Sequence, residues 1–331
     1  MKSTSKKTKT ISRSSALIGP LMVDVGGLEL TAEDREVLKH PLIGGLILFT
    51  RNYRDPEQLA ALCMDILAVK KPRLLLAVDH EGGRVQRFRV GFTRIPAMRT
   101  LGKLYEEDAA KAGAEAREHG LTIGRELAAF GIDLCFAPVL DRDYGVSTVI
   151  GDRAFDQDSD RIIELARSFR TGLNAAGLVA TGKHYPGHGA VSADSHHELP
   201  VDRRSLDELQ KDMVPFEALI KDGIESLMMA HVRYTSVDQA PASLSKIWIQ
   251  DNLRKRLKYT GAIFCDDLSM GGAAVVGTME ERARLAFEVG CDMLPVCNDR
   301  PATIALLHAL KDIKPTKAIS DRLKKLYRRE V

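Results

Sequence analysis

The sequence predicts an α/β protein of one domain, a (β/α)8 TIM barrel, on three observations. Eight short apolar runs alternate with helix-like stretches along the 331 residues. Most of these runs are nearly continuous in hydrophobic residues, as expected for parallel strands that are covered on both faces. No segment rich in proline, serine or glycine divides the chain, and barrels of this architecture often reach this length as a single domain.

The predicted strands are the apolar runs, and the predicted helices lie between them. The strands cover residues 21–25, 45–49, 74–78, 134–140, 179–181, 226–230, 262–265 and 292–296. The helices cover residues 32–39, 56–69, 107–130, 159–176, 205–221, 246–258, 280–289 and 301–311, with a final helix near 320–329.

Capping residues support the predicted helices. Asp55 precedes a proline at the first helical position, and Ser205 and Glu208 have the spacing of a capping box. Four glycines follow helices where a left-handed C-cap is common, namely Gly131, Gly177, Gly223 and Gly290.

Composition and charge exclude several classes of function. The hydrophobic content of 44% and charged content of 28% are ordinary for a globular protein, and the net charge of +3 predicts no nucleic-acid partner. No run approaches the roughly 20 apolar residues of a membrane span, so we expect no membrane partner. Five cysteines without a CxxC pair indicate buried thiols in a reducing compartment, and we expect a cytoplasmic monomer.

The N-terminal segment differs from the rest of the chain. Residues 1–15 carry five basic side chains among serines and threonines, and they lack the apolar segment of a secretory signal. We expect a disordered basic tail over residues 1–15 and a barrel domain over residues 16–331. A tether to nucleic acid or to an anionic surface is the alternative for the tail.

Polar side chains at the strand ends predict where the chemistry lies. Barrel enzymes carry their active sites at the carboxyl ends of the strands. The residues that follow the eight predicted strands are Asp24, Arg51-Asn52, Asp79-His80-Glu81, Asp141-Arg142-Asp143, Lys183-His184, His231-Val232-Arg233, Asp266-Asp267 and Asn298-Asp299. Nearly every strand thus ends in a charged or amide group, which we interpret as a functional rim.

Three of these strand ends are especially rich in reactive groups. Residues 183–189 (KHYPGHG) and 194–197 (DSHH) gather titratable side chains beside flexible glycines. Residues 265–270 (CDDLSM) lead an apolar strand into two carboxylates, of which Asp267 could instead cap the next helix. Residues 78–87 (VDHEGGRVQR) combine a tight glycine turn with two arginines that can flank a pocket.

Together these motifs resemble those of a known enzyme family. Residues 78–87, 183–189 with 194–196, and 265–270, with the shorter 151–155 (GDRAF), are similar to the cytoplasmic β-N-acetylglucosaminidases of glycoside hydrolase family 3, the bacterial peptidoglycan-recycling type. The resemblance extends from about Leu17 to the C-terminus. Two departures are His80 and Cys265, where the family usually has Gln and Ser or Thr; neither side chain is expected to perform the chemistry.

The resemblance implies a role for eight residues. Asp266 would be the nucleophile, His196 the general acid/base, and Asp194 the partner that orients and tunes His196. Substrate binding would fall to Asp79, Arg87, Arg153, Lys183 and His184. The implied reaction removes terminal N-acetylglucosamine from GlcNAc-1,6-anhydroMurNAc, with or without its stem peptide, through a covalent glycosyl-enzyme. The implied partner is therefore a small muropeptide, and no metal or organic cofactor is expected.

Elementary chemistry agrees with these roles without selecting them uniquely. Retaining glycosidases usually use two carboxyl groups, and here a histidine replaces one of them. The ordinary pKa of histidine, near 6.5, suits both proton donation and proton acceptance near neutrality, and an adjacent aspartate favours the protonated form. Residues 187–197 are too polar and too rich in glycine for core, so we interpret them as a mobile loop that brings His196 over the sugar.

Two alternatives remain at this point. The histidine cluster with Lys183 and Asp266 would also fit a metal-dependent barrel hydrolase, although the first strand offers no His-x-His pair and no zinc-binding spacing is present. A sugar-binding module is the second alternative, but it leaves an acid at a strand tip and a histidine on a glycine loop without explanation.

Overall fold

The computed structural model describes residues 17–329, and the predicted basic tail lies outside the described residues. Eight parallel strands form the barrel: Leu21–Val23, Ile43–Leu48, Leu75–Val78, Leu134–Cys135, Val179–Tyr185, Ser226–Met229, Ala262–Phe264 and Leu294–Pro295. We number these barrel strands one to eight in chain order. Two short pairs lie outside the barrel, an antiparallel one between His80–Gly82 and Val85–Gln86 and a parallel one between Val201–Asp202 and Arg233–Tyr234.

Helices connect the strands. The α-helices are Ala32–Lys39, Pro56–Ala68, Arg99–Glu107, Ala109–Ala128, Ser159–Ala175, Leu206–Lys221, Gly271–Ala274, Met279–Val289, Arg300–Ala309 and Lys317–Lys324. A π-helix covers Ile247–Arg256, and 3-10 turns cover Thr50–Asn52, Gly151–Arg153 and Ala242–Leu244.

The strand order confirms the predicted barrel. Consecutive strands pair in parallel from the first to the seventh, and the eighth pairs with the first. The seventh and eighth strands meet through a single parallel bridge between Phe264 and Met293, supported by the backbone hydrogen bond from the Asp292 N–H to the Ile263 carbonyl at 2.7 Å. The barrel is thus nearly closed, with its weakest seam beside the strand that leads to Asp266.

Alternation along the strands divides the core into two layers. In the first and second strands, Met22 and Ile47 point into the barrel, whereas Leu21 and Leu46 pack against the helices outside. This period of two is the ordinary geometry of a strand. Both layers are fully buried, which explains why the strands read as continuous apolar runs in the sequence.

The C-terminal helix closes the amino end of the barrel. Leu323 and Leu326 belong to the same apolar cluster as the barrel interior, and Arg322 pairs with the buried Asp292 at the start of the eighth strand. The polar residues that follow the strands lie at the opposite, carboxyl end. Within residues 17–329, the helices are all too short or too polar to cross a membrane.

Most predicted caps are confirmed, and several elements differ from the prediction, among them the fourth strand, which ends at Cys135 and not at residue 140. Gly131, Gly177, Gly223 and Gly290 all have positive φ at helix ends, and the Asp55 and Ser205 caps form as expected. The predicted helix 107–130 is confirmed as Ala109–Ala128, which Asp108 caps by accepting the Lys111 N–H, whereas the helix before it, Arg99–Glu107, was not predicted. The stretch predicted as 246–258 is a π-helix.

The fifth strand is longer than predicted, and this matters for the site. It was expected to end at residue 181 but continues to Tyr185, so Lys183 and His184 belong to the strand itself. Its polar residues looked unlike a strand interior, yet all seven residues are buried, since carboxylates compensate the charge of Lys183.

Candidate active site

A cleft of about 430 Å³ opens at the carboxyl ends of the strands. It is lined by side chains from strands two to eight and from the loops that follow them. All eight residues implied by the resemblance line it: Asp79, Arg87, Arg153, Lys183, His184, Asp194, His196 and Asp266. The structure therefore brings together residues that are up to 187 positions apart in the sequence (266 − 79).

A buried lysine anchors one wall of the cleft. Lys183 is only 2% exposed, and its Nζ lies 2.8 Å from Asp79 Oδ1 and 2.6 Å from Glu81 Oε1. Burial alone would lower the pKa of Lys183, but the two carboxylates outweigh burial and raise it. Lys183 therefore stays a cation, and Asp79, whose pKa is lowered by Lys183 and Arg87 despite burial, stays an anion.

Glu81 is a site residue that the sequence interpretation did not include among its binding residues. It accepts two hydrogen bonds from Arg153, at 2.8 Å from Nε and 2.7 Å from Nη2, in addition to the contact with Lys183. Burial opposes ionisation, but Arg153 and Lys183 lower the pKa of Glu81 to about 2. Glu81 therefore fixes both cations at the cleft, in the bidentate geometry that arginine favours with carboxylates.

The turn that carries these groups depends on two glycines. Gly82 and Gly83 have φ of 101° and 55°, and a Cβ at Gly82 would lie 2.6 Å from the Pro96 carbonyl oxygen. The expected tight turn is confirmed, because a side chain here would meet both backbone strain and a collision. Arg87 follows the turn and reaches Asp79 at 3.3 Å.

His184 is oriented by a second residue missing from the predicted set, Asp141. The His184 Nδ1 lies 2.7 Å from Asp141 Oδ2, and the backbone N–H groups of His184 and His188 also donate to this buried carboxylate. Burial opposes ionisation, but His184 and His188 together lower the pKa of Asp141. Because a carboxylate accepts, Nδ1 carries the proton and Nε2 is the ring atom available to a ligand.

Asp266 lies at the tip of the seventh strand, as the sequence predicts. Its Oδ1 accepts the backbone N–H of Asp267 at 2.9 Å. Burial opposes ionisation, but the nearby His231 and His184 and this N–H outweigh it and lower the pKa of Asp266. An ionised carboxylate with few hydrogen bonds, held on a rigid strand end, is well suited to act as a nucleophile.

The neighbouring Asp267 has a different environment. Its Oδ1 accepts the N–H groups of Ser269 at 3.0 Å and Cys297 at 3.1 Å, so it stabilises the turn after the strand instead of capping a helix. Burial, with a smaller contribution from Asp266, raises the pKa of Asp267 to about 6. Two adjacent carboxylates thus have opposite pKa shifts, and the more acidic one, Asp266, is the better candidate for the nucleophile.

The proton-transfer candidates stand on the loop after the fifth strand. His196 Nδ1 lies 2.7 Å from Asp194 Oδ1, which also accepts the His196 backbone N–H at 2.9 Å. Burial slightly opposes ionisation, but these two hydrogen bonds outweigh it and lower the pKa of Asp194. The His196 ring is 60% exposed on this wall of the cleft, where solvent and a leaving group can both reach it.

The other histidines and aromatic residues have structural contacts. His197 is 83% exposed, and Trp248 is buried in edge-to-face contacts with Tyr185 and Tyr234. His188 supports the base of the loop through its Nε2, which lies 3.0 Å from Ser195 Oγ. His231 lies beneath the cleft, between the Asp267 carbonyl and Ser243.

The cysteines and possible metal ligands complete the inventory of reactive groups. All five cysteines are buried and free, as expected, with none in a disulfide. Over the described part of the chain, residues 17–329, His, Cys, Asp and Glu side chains do not gather in groups of three or more that could hold a metal ion.

The chain is similar to known proteins of one family. The sequence profile of the glycosyl hydrolase family 3 N terminal domain matches residues 16–328. A β-hexosaminidase of Thiobacillus denitrificans is 54% identical over 282 residues, which cover 85% of this chain and 79% of the relative. A β-hexosaminidase of Methylobacillus flagellatus is 55% identical over 295 residues, covering 89% and 84%.

The fold is also similar to solved structures. NagZ from Neisseria gonorrhoeae in complex with N-trifluoroacetyl-D-glucosamine superposes with a TM-score of 0.88 at 44% identity, covering 94% of this chain and 91% of that one. The profile match, the two relatives and this likeness all extend over most of the barrel that carries the cleft. The chain therefore belongs to glycosyl hydrolase family 3 and is a glycoside hydrolase of the β-hexosaminidase group.

Proposed function

We propose that this enzyme is a retaining exo-β-N-acetylglucosaminidase that acts through a covalent glycosyl-Asp266 intermediate. The observation that carries the proposal is a single cleft in which an acidic carboxylate on a strand tip, Asp266, shares the lining with a His196–Asp194 pair on a loop. Such a cleft supplies a nucleophile and a separate proton donor, the two groups that retention requires.

The first step forms the glycosyl-enzyme. An Asp266 carboxylate oxygen attacks the anomeric carbon while the bond from that carbon to the leaving oxygen breaks. His196 donates a proton to the leaving oxygen, so that the aglycone departs as a neutral alcohol. Asp194, whose Oδ1 lies 2.7 Å from His196 Nδ1, orients the imidazole ring for this step.

The second step restores the enzyme. A water molecule enters beside His196, which now accepts a proton from it as the water oxygen attacks the anomeric carbon. The bond from that carbon to Asp266 breaks, and the carboxylate is regenerated. Two displacements at the same carbon give a product with the original β configuration.

The remaining residues would hold the sugar. Asp79, Arg87, Arg153, Lys183 and His184 present charged and hydrogen-bonding groups to one wall of the cleft, and Glu81 and Asp141 hold them in place. N-acetylglucosamine offers hydroxyl and amide groups that match such donors and acceptors. A similar protein from Neisseria gonorrhoeae binds N-trifluoroacetyl-D-glucosamine, which supports an amino-sugar ligand.

The natural substrate we propose is GlcNAc-1,6-anhydroMurNAc, with or without its stem peptide, so that the enzyme would act in peptidoglycan recycling. The resemblance of residues 78–87, 183–189 and 265–270 to the motifs of recycling enzymes supports this choice. We further propose that the enzyme acts as a monomer in the cytoplasm, on a small molecule and without a metal or organic cofactor.

Leaving-group dependence tests the roles of Asp266 and His196. Asp266→Ala should abolish turnover of every aryl β-N-acetylglucosaminide while the circular dichroism spectrum is unchanged. His196→Ala should reduce kcat/KM strongly for a phenyl glycoside, by roughly 10²-fold or more, and much less for a nitrophenyl glycoside, because a good leaving group needs little acid assistance. Equal losses for good and poor leaving groups would remove His196 from the acid role.

Substrate preference tests the proposed place in metabolism. The purified enzyme should release N-acetylglucosamine from GlcNAc-1,6-anhydroMurNAc, with the product first appearing as the β-anomer by NMR. Chitobiose serves as a comparison that has the same glycone but a different aglycone. No release from the anhydro disaccharide, with normal turnover of aryl glycosides, would leave the chemistry in place and overturn the recycling substrate.

A further inference from the structure

We propose that Gly271 and Gly272 are positioning residues that dock the loop carrying His196 over the cleft. The proposal rests on the proposed acid/base role of His196 and adds the element that keeps this residue in place. These glycines follow the Asp266–Asp267 turn by only a few residues, at the start of the helix Gly271–Ala274. The segment that presents the nucleophile would therefore also hold the acid/base group.

Two backbone hydrogen bonds connect the segments. The Gly271 N–H donates to the His196 carbonyl at 3.0 Å, and the Gly272 N–H donates to the Ser195 carbonyl at 2.9 Å. The two segments are therefore antiparallel at this point, and the hydrogen bonds hold the backbone of His196 and of the residue before it. Because the side chain of His196 is largely exposed, these backbone contacts fix its position more than side-chain packing does.

The contact requires residues without a side chain. A Cβ at Gly271 would lie 2.3 Å from the His197 carbonyl oxygen and 2.4 Å from its carbon, distances that no packed structure allows. A Cβ at Gly272 would lie 3.0 Å from His231 Cβ and 3.1 Å from the Ser195 carbonyl oxygen, a tight but less severe contact. Close approach of two backbones, and not an unusual φ, therefore explains glycine at these positions.

A second contact holds the loop that carries His196 at another point. Ser195 is 2% exposed, and its Oγ contacts the buried His188 at 3.0 Å at the loop base. Ser195 is thus held by its side chain on one side and by its carbonyl, through Gly272, on the other. Losing the glycine contact would leave the loop attached only at its base, so that His196 could move away from Asp266.

Kinetics of a glycine variant tests this inference. Gly271→Ala should reduce kcat/KM for a phenyl β-N-acetylglucosaminide by roughly 10²-fold or more, and by less than about tenfold for a dinitrophenyl glycoside, since it would withdraw acid assistance. Gly113→Ala is the matched control, because the new Cβ would meet only Ser168 Oγ at 3.6 Å on a distant helix. The control should leave both values unchanged.

A double variant separates positioning from general damage. If Gly271 acts through His196, then adding Gly271→Ala to His196→Ala should cause no further loss for the phenyl substrate. An equal loss in both backgrounds would overturn the proposal, as would an unchanged leaving-group dependence in Gly271→Ala. Should Gly271→Ala fail to fold, Gly272→Ala takes its place, because its new Cβ makes a milder contact. It should show the same selective loss for the phenyl substrate at a smaller magnitude. If Gly272→Ala showed no such selective loss, the proposal would also be overturned.

The outcome is distinguishable from failure of the proposed function. If His196→Ala itself shows equal losses for good and poor leaving groups, the acid role of His196 is wrong. If His196→Ala behaves as expected and both glycine variants keep the wild-type leaving-group dependence, only the docking role is wrong.

Discussion

Buried charges around Lys183 illustrate how this site is held together at the residue scale. Burying any one of the charges of Lys183, Asp79 and Glu81 alone would be costly. They are tolerated together because the Lys183 ammonium lies within 2.8 Å of both carboxylates. Arg153 adds a bidentate contact to Glu81. The cluster therefore gives the cleft fixed charges with little freedom to rearrange when a sugar binds.

Replacing Lys183 with an uncharged residue should lower the stability of the protein. Lys183→Met leaves the buried carboxylates of Asp79 and Glu81 without their shared cation, and we expect a loss of about 3 kcal/mol in the free energy of unfolding. Urea denaturation at neutral pH measures it. Lys317→Met is the control, because Lys317 pairs with Asp321 on the surface at 83% exposure and should leave the urea midpoint unchanged. Equal midpoints for the two variants would contradict the account.

Sequence reasoning could find the residues that face the ligand but not those behind them. Asp79, Lys183 and Asp266 are identifiable because they follow apolar runs of the sequence and stand in recognisable motifs. Glu81 and Asp141 also follow strands, but nothing in the sequence says that one contacts Arg153 across 72 positions and the other His184 across 43. Such partners depend on tertiary packing, which strand and helix patterns do not encode.

At the scale of elements, polar residues made the predicted fifth strand too short, and these same residues line the cleft. The fifth strand was cut at residue 181 because Lys183 and His184 interrupt its apolar run, although both are inside the strand. The helix predicted over 107–130 is confirmed as Ala109–Ala128, but the helix before it, Arg99–Glu107, was not predicted; Asp108 separates the two helices and caps the second. The alternation of apolar runs with helix-like stretches predicted the barrel well. The ends of single strands and helices, in contrast, depend on individual polar residues.

The loop that carries His196 makes a prediction about motion. Its backbone amides should exchange hydrogen faster than those of the fifth strand in the free enzyme and should become protected when an amino-sugar inhibitor fills the cleft. Hydrogen-exchange mass spectrometry on a peptide spanning residues 187–198 measures this. The peptide containing Val179–Tyr185 serves as the internal reference. Identical protection of the loop with and without inhibitor would count against loop closure.

For the molecule as a whole, buried histidines set the response to acid. Burial lowers the pKa of His80 and of His188 from 6.5 to about 4. Between these values the unfolded chain binds a proton at each histidine and the native protein does not, so stability is full above pH 6.5 and falls towards pH 4. Each histidine contributes about 3 kcal/mol to this fall, and Asp267, with its raised pKa of about 6, opposes it in part.

His80 offers a direct check of this pH dependence. It contacts Phe88 and Phe92, and neither ring nitrogen has a hydrogen-bond partner. His80→Gln, which replaces the imidazole with a side chain that does not titrate, should reduce the loss of unfolding free energy between pH 7 and pH 4.5 relative to the unaltered protein. Above about pH 7 the unfolding free energies of the variant and of the unaltered protein should change with pH in the same way. Equal slopes below pH 6.5 would show that His80 becomes protonated without unfolding.

The architecture places all of these elements at one end of the barrel. Leu323 of the C-terminal helix and Leu326 just after it pack against the amino end, while the seven strands that line the cleft bring distant residues to a common edge. The central claim that results is chemical: of the carboxylates at this edge, Asp266 is the one that bonds to the sugar.

Covalent trapping tests that claim most directly. The enzyme is incubated with a 2-acetamido-2-deoxy-5-fluoro glycosyl donor, which slows hydrolysis of the intermediate, and the modified residue is located by peptide mass spectrometry. Asp266→Ala is the control and should take up no label. The account predicts one sugar per chain, bonded to Asp266; a label on Asp267 or Glu81, or none on the intact enzyme while the donor is still turned over, would contradict it.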